Sequence, residues 1–168
     1  MDVEQRARNS VGLLISILVR YPELASLNFD PKEQSLKFTF LATKLLSEEE
    51  FRKLRDLTEA SLDAYWNLGR RKPSEFSFTI SSFAGVSVLE MTRDVTSLSQ
   101  EELALVIGLM KDTLGDRLVV DNNDGSPDED LSMQEELIQE MLEDIKEDKL
   151  EKNLIAFREE GRVLVFNK

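Results

Sequence analysis

Twice along this chain, 52 residues apart, a run of alternating apolar residues gives way to a serine-led capping sequence and then to a helical stripe. In the first unit Leu36, Phe38 and Phe40 alternate with polar residues, which fits a strand with one buried face. Leu27 and Phe29 alternate before them, and Asp30-Pro31-Lys32-Glu33-Gln34 between the two runs supplies turn chemistry. Ser47-Glu48-Glu49-Glu50 is then a capping box, in which the serine hydroxyl accepts the third-position amide and the glutamate reaches back. The stripe that follows is Phe51, Leu54, Leu57, Leu62, Tyr65 and Trp66, and Gly69 is the natural stop. The second unit repeats the plan. Phe76, Phe78 and Ile80 alternate with Ser77, Thr79 and Ser81, Ala84-Gly85 turns the chain, and Val86 and Val88 return it. Ser99-Gln100-Glu101-Glu102 then caps Leu103, Val106, Ile107, Met110 and Leu114, with Gly115 as the stop and Leu118-Val119-Val120 as a short strand.

The match extends to Leu46-Ser47 with Leu98-Ser99, and to Leu57 and Leu62 with Leu109 and Leu114. Two readings stand: an internal duplication, or two unrelated capped helices behind hairpins, since capping boxes are common. Either way the pattern predicts an α+β fold, an antiparallel sheet built from two β-hairpin–helix units with helices on one face. Ahead of these units, Val11, Leu14, Ile15, Leu18 and Val19 predict an N-terminal helix from about Val3 to Arg20, stopped before Pro22. It reads as a buried amphipathic helix and not a signal peptide, because Asp2 and Glu4 sit in its flank and no small-residue cleavage site follows.

Charge divides the chain. Residues 1–120 hold 18 acids and 15 bases, whereas residues 121–152 hold 13 acids and three bases, so most of the net −12 lies in one stretch. The expected domains are an α+β core over 1–120, an acidic linker over 121–130, and an acidic amphipathic helix with a terminal β-hairpin over 131–168. Leu137, Ile138, Met141, Leu142 and Ile145 make the narrow apolar stripe of that helix. Leu154, Ile155 and Phe157, a Glu159-Glu160-Gly161 turn, and Val163 to Phe166 make the hairpin.

Several chemistries are removed outright. The chain has no cysteine and no histidine, so thiolate nucleophiles, zinc ribbons, disulfides and the commonest general base are gone. Lack of cysteine fits a reducing, cytoplasmic setting. The apolar run Val11–Val19 is about half of what a bilayer needs, so no membrane span is expected. The acidic stretch would repel a phosphate backbone and no basic stripe offsets it, so nucleic-acid binding is not expected. Around Gly125 an EF-hand register puts Val120 at the first ligand position and Leu131 at the twelfth, and both fail. Among seven glycines none forms a phosphate loop, so no cofactor or metal is expected.

A chain without catalytic vocabulary but with an apolar stripe on an acidic helix reads as a protein-binding module, an adaptor, regulator or chaperone-like protein, and as a homodimer. Its candidate contact residues are Leu137, Ile138, Met141, Leu142 and Ile145, with Trp66 as an aromatic anchor and Arg70 and Arg71 in a basic cluster with Arg52, Lys53, Arg55 and Lys72. The cluster also reads as ordinary helix charge, with Glu48 and Arg52 as an i,i+4 pair, and Trp66 also reads as core. The alternatives are a small-molecule or metal-responsive binding domain and a carboxylate-dependent enzyme. The order of elements resembles that of small acidic dimeric modules such as secretion chaperones and roadblock-like scaffolds, a resemblance of element order that carries no residue motif.

Overall fold

A computed structural model describes residues 3–69, 72–121, 131–147 and 152–167, with the side chains of residues 3–9, 131 and 147 set aside. The elements run α1 (Val3–Arg20), β1 (Ser26–Asp30), β2 (Ser35–Thr43), α2 (Glu48–Gly69), β3 (Phe76–Phe83), β4 (Val86–Asp94), α3 (Gln100–Leu114), α4 (Leu131–Glu147), β5 (Leu154–Glu159) and β6 (Arg162–Asn167). The α+β class is as the periodicities dictate. The six strands form one antiparallel sheet in the order β3-β4-β2-β1-β5-β6.

The strand register sorts the side chains by face. Phe78 pairs with Met91, Met91 with Phe38, Phe38 with Leu27 and Leu27 with Ala156. All five point to the same side, because paired residues share a face. The four helices lie on that side. Phe51 of α2 stacks on Phe78 with ring centres 5.5 Å apart, and Trp66 meets Phe76 edge-on at 5.6 Å. Leu13 and Leu14 of α1 and Ile145 of α4 close over Phe29, Leu36 and Leu154. The helices follow one another across the sheet as α1, α4, α3 and α2, with α1 over β5 and β6. Leu36, Phe38 and Phe40 of the central strand are fully buried, and truncating such a phenylalanine to alanine costs about 3–5 kcal/mol.

Turns and caps follow residue chemistry. Ser47 and Glu50 form the complete capping box, with Ser47 Oγ accepting the Glu50 amide at 3.1 Å and Glu50 Oε1 accepting the Ser47 amide at 3.0 Å. Ala84-Gly85 and Glu160-Gly161 take positive φ at both positions, the conformation of two-residue hairpins whose twist matches the strands.

Three expectations differ in detail. In α1 the buried face is Leu13, Leu14, Ile17 and Leu18, and Ile15 points out at 37% exposure, so the stripe read from Val11 and Ile15 was rotated about a quarter turn. Leu118 makes only an isolated bridge to Ala42; the Val119 amide bonds the Leu41 carbonyl at 2.8 Å, and the Asp121 amide then turns to the Pro22 carbonyl at 3.1 Å. The pair Glu48–Arg52 is not made; Lys53 meets Glu49 at 3.5 Å, and Glu50 takes Arg117 at 2.6 Å. The acidic helix is described to Glu147, so its expected continuation through Leu150 lies outside the described residues, as do positions 122–130 of the linker. Residues 131–147 and 152–167 share the sheet and the buried cluster of the first 120, because β5 pairs with β1 and α4 contributes to the core.

Candidate functional site

The most concentrated polar chemistry is a buried cluster between α2, α3 and the end of β4. Arg93 is the largest side chain excluded from solvent, with 0% exposure. It stands on the helix-covered face because its strand neighbour Met91 does and the side-chain period is two. Its Nε donates to Glu102 Oε2 at 2.6 Å, and Nη2 donates to Glu102 Oε1 at 2.9 Å and to Ser97 Oγ at 3.0 Å. Nη1 donates to the Glu75 carbonyl at 3.1 Å and to Asp94 Oδ1. The guanidinium carbon sits 5.1 Å from the centre of the Trp66 ring, and Trp66 Nε1 donates to Glu102 Oε1 at 2.6 Å. Every donor of the guanidinium fork is therefore used, and the plane rests on an aromatic face.

Asp94 closes the cluster. Burial alone would raise its carboxyl; the hydroxyls of Thr96 and Ser97, the backbone amide of Glu75 and the Arg93 charge outweigh it and hold the group far below the usual carboxylate range. The amide of Ser74 also donates to it at 3.1 Å. Sequence reading took Glu102 for a capping glutamate, and half of that holds, since Ser99 Oγ accepts the Glu102 amide at 3.2 Å. The Glu102 carboxylate instead turns inward to Arg93 and Trp66. A carboxylate and guanidinium saturated by each other and closed to solvent cannot meet a substrate, so this cluster is a clamp between strand and helices.

The expected contact residues separate. Ile138, Leu142 and Ile145 are 0%, 0% and 3% exposed and belong to the core, where α4 lies between α1 and α3. Met141 is half-buried against α1, its sulfur 3.8 Å from Ser16 Oγ. Leu137 remains outside at 44% exposure, with Met133 one turn earlier. The stripe thus spends most of its apolar surface inside the fold. Trp66 is buried in the clamp. Arg70 and Arg71 lie outside the described residues, and the acidic helix takes its ion pair from Arg20, which meets Glu135 at 2.7 Å.

Among the described residues, two of the open surfaces stand out. The first is a cleft of about 370 Å³ where Tyr65, Ser99, Gln100 and Glu101 face Ser132, Glu135, Glu136 and Gln139. Its three glutamates give it a negative wall, yet among the described residues no group of acids is placed to hold a metal ion. The second is the other face of the sheet, which carries no helix among the described residues. Its centre is polar, with Lys37, Glu90 and Thr92 around a buried Thr39, and Lys37 pairs with Glu90 at 2.9 Å. Its far end is apolar: Ile155 lies opposite Phe166 and Phe157 opposite Leu164, and the Phe157 and Phe166 rings stack at 5.5 Å. Sequence alternation in the terminal hairpin carries the signal for this patch, but only the sheet order reveals that no described element covers it. No described helix is long and apolar enough to cross a membrane. The chain matches no protein-family model, and neither a curated protein nor a solved structure matches it.

Proposed function

We propose that this chain is a non-catalytic protein-binding module, an adaptor or regulator, that offers the uncovered face of its sheet to a protein partner. One observation carries the reading: among the described residues, four helices crowd one face of a six-stranded sheet and none lies on the other, which has an apolar end at Ile155, Phe157, Leu164 and Phe166. The apolar end supplies surface that a partner would desolvate, and the polar middle beside it supplies hydrogen-bonding groups of the kind that border such a contact. The densest charged chemistry, at Arg93 and Glu102, is used up internally, which favours binding over catalysis. On α4 only Leu137 and Met133 are left to add to a contact.

The test is capture of a protein at fixed stoichiometry by the full chain and by Phe157→Lys and Leu41→Lys variants. Both residues lie on the bare face and their replacement leaves the covered core alone. The reading expects the partner to be lost from the variants at unchanged melting temperature; retention of the partner by both overturns it. A second reading, a binding domain for a small cation, is favoured by the glutamate-lined cleft at Tyr65 and Glu135. It requires that a small amine raise the melting temperature of the wild type and not of a Glu101→Gln/Glu135→Gln variant.

A further inference from the structure

The β6 side of the molecule ends in two apolar layers at once, and we infer that it is where a second copy of this chain docks, edge to edge, through β6 and α1. This inference goes beyond the reading above, since it assigns a second surface and names its occupant.

The lower layer is the free edge of the sheet. The turn Glu160-Gly161 joins the pair Glu159 and Arg162, and in a two-residue hairpin that closing pair exchanges both backbone hydrogen bonds. By the alternation of antiparallel pairs, Leu164 and Phe166 then direct their amides and carbonyls to β5, whereas Val163 and Val165 direct theirs outward. Among the described residues β6 is the last strand of the sheet, and no described strand pairs with its outward donors and acceptors. Its outward groups lack the usual defences of an edge, because no proline, bulge or charge stands between Val163 and Asn167.

The upper layer is the flank of α1. Gly12, Ser16 and Arg20 face α4, since a Cβ on Gly12 would meet Met141 Cε at 3.6 Å and Arg20 holds Glu135. Leu14 and Leu18 face the sheet. Helical spacing leaves Val11, Ile15 and Val19 on the remaining flank, turned away from α4 and hence out past β6. A lone extended peptide would satisfy the strand edge and leave this helix flank wet. A second copy related by a two-fold axis satisfies both layers, since strand meets strand and helix meets helix at the same height. The charge agrees. In a chain of net −12, two copies repel least across a wall whose described positions, Val11 to Val19 above and Val163 to Asn167 below, are uncharged. A six-residue strand is about 20 Å long and the layers lie about 10 Å apart, so the wall is narrow and suits a weak, reversible association.

Parity limits the register to pairings between outward residues, and the one that bonds Val163 to the partner's Val165 centres the axis on the apolar strand. Outward groups on Val163 and Val165 make these two hydrogen-bonding partners across the axis, which sets Leu164 against the partner's Leu164 and Arg162 beside the partner's Phe166, a cation over a ring. The apolar end of the bare face then continues unbroken from one subunit to the other.

The chain has no cysteine, so a single Leu164→Cys substitution reports the register: non-hydrogen-bonded antiparallel pairs bring Cα atoms to about 4.5 Å, within disulfide range. Light scattering on the full chain at high concentration is expected to give twice 19.2 kDa, and mild oxidation of L164C a covalent dimer, whereas Ser77→Cys on the opposite edge stays single. Ile15→Glu, on the surface flank, is expected to weaken self-association on the order of 30-fold or more with unchanged circular dichroism. Val165→Pro removes only an outward amide and is expected to do the same; if it does not fold, I15E decides. A wild type of one chain mass at high concentration, or a dimer indifferent to I15E, overturns the inference. If the wild type is single yet loses a different protein through Phe157→Lys, the binding reading stands and this one falls.

Discussion

The starts of α2 and α3 use the same four-residue pattern, serine followed three residues later by glutamate, to opposite ends. At α2, Ser47 and Glu50 satisfy each other's amides at the surface, and Glu50 adds a salt bridge to Arg117 at 2.6 Å. The Ser47 amide and then Arg117 hold its carboxyl below the ordinary value. At α3, Ser99 still caps the Glu102 amide, but the Glu102 carboxylate is buried and bound to Arg93 and Trp66. Fifty-two residues before Arg93 and Asp94 stand Leu41 and Ala42, so the first unit has no cation behind its helix. A capping glutamate is thus a local device only while nothing stronger lies within reach. Given a buried guanidinium, it becomes the pin that holds a helix end onto a sheet.

The largest effect expected from this contrast is at Arg93. Arg93→Ala strands Glu102 and Asp94 as buried acids and should cost about 3–5 kcal/mol in urea unfolding. Replacing both partners, Arg93→Met with Glu102→Leu, should cost less than R93M alone; an additive double variant would mean the two do not act as a pair. Next comes Glu102→Ala against Glu50→Ala. The first leaves the Arg93 Nε and the Trp66 N–H without their acceptor in the core and should cost about 3 kcal/mol or more, while the second should barely move the denaturation midpoint. Equal losses would erase the distinction between the two helix starts.

Acid should pick out the same cluster. Asp94 is depressed in the folded chain, so its contribution is complete above the unfolded carboxyl value of about 3.9 and is lost as pH falls below it. Asp94→Asn should lower stability at neutral pH and flatten the acid limb of the stability profile relative to wild type. An unchanged acid limb would place the acid sensitivity elsewhere. Ser47→Ala should cost about 1 kcal/mol, and Ser99→Ala more, because the Ser99 hydroxyl also bonds the Tyr65 hydroxyl at 2.7 Å.

Local chemistry was legible in the sequence to the residue in places. The span of α1, the start of α2 and the turns at Ala84-Gly85 and Glu160-Gly161 follow from caps, prolines and glycines that act on their immediate neighbours. Helix rotation was less so. Ile15 and Leu13 are equally apolar, and only the bulk of α4 on one flank and the sheet beneath decide which is buried. The role of Arg93 was not legible at all, because one arginine at a strand end has no periodic signal and its partners arrive from α2, α3 and the loop before β3. The stripe on α4 was visible in sequence, but its alternatives, a partner or the chain's own core, differ only by where α1 sits.

Arg158 offers a different kind of consequence. It reaches from β5 to the carbonyls of Leu18, Tyr21 and Leu24, 134 residues away in the case of Leu24, while β5 itself covers the edge of β1. During synthesis, therefore, the C-terminal end of α1 and the strand after it emerge long before the segment that seals them. Until β5 and β6 leave the ribosome, β1 is an open edge beneath a helix whose last carbonyls have no partner from β5. The growing chain must carry that unfinished seam for most of its elongation, and the molecule is born from the middle of its sheet outward.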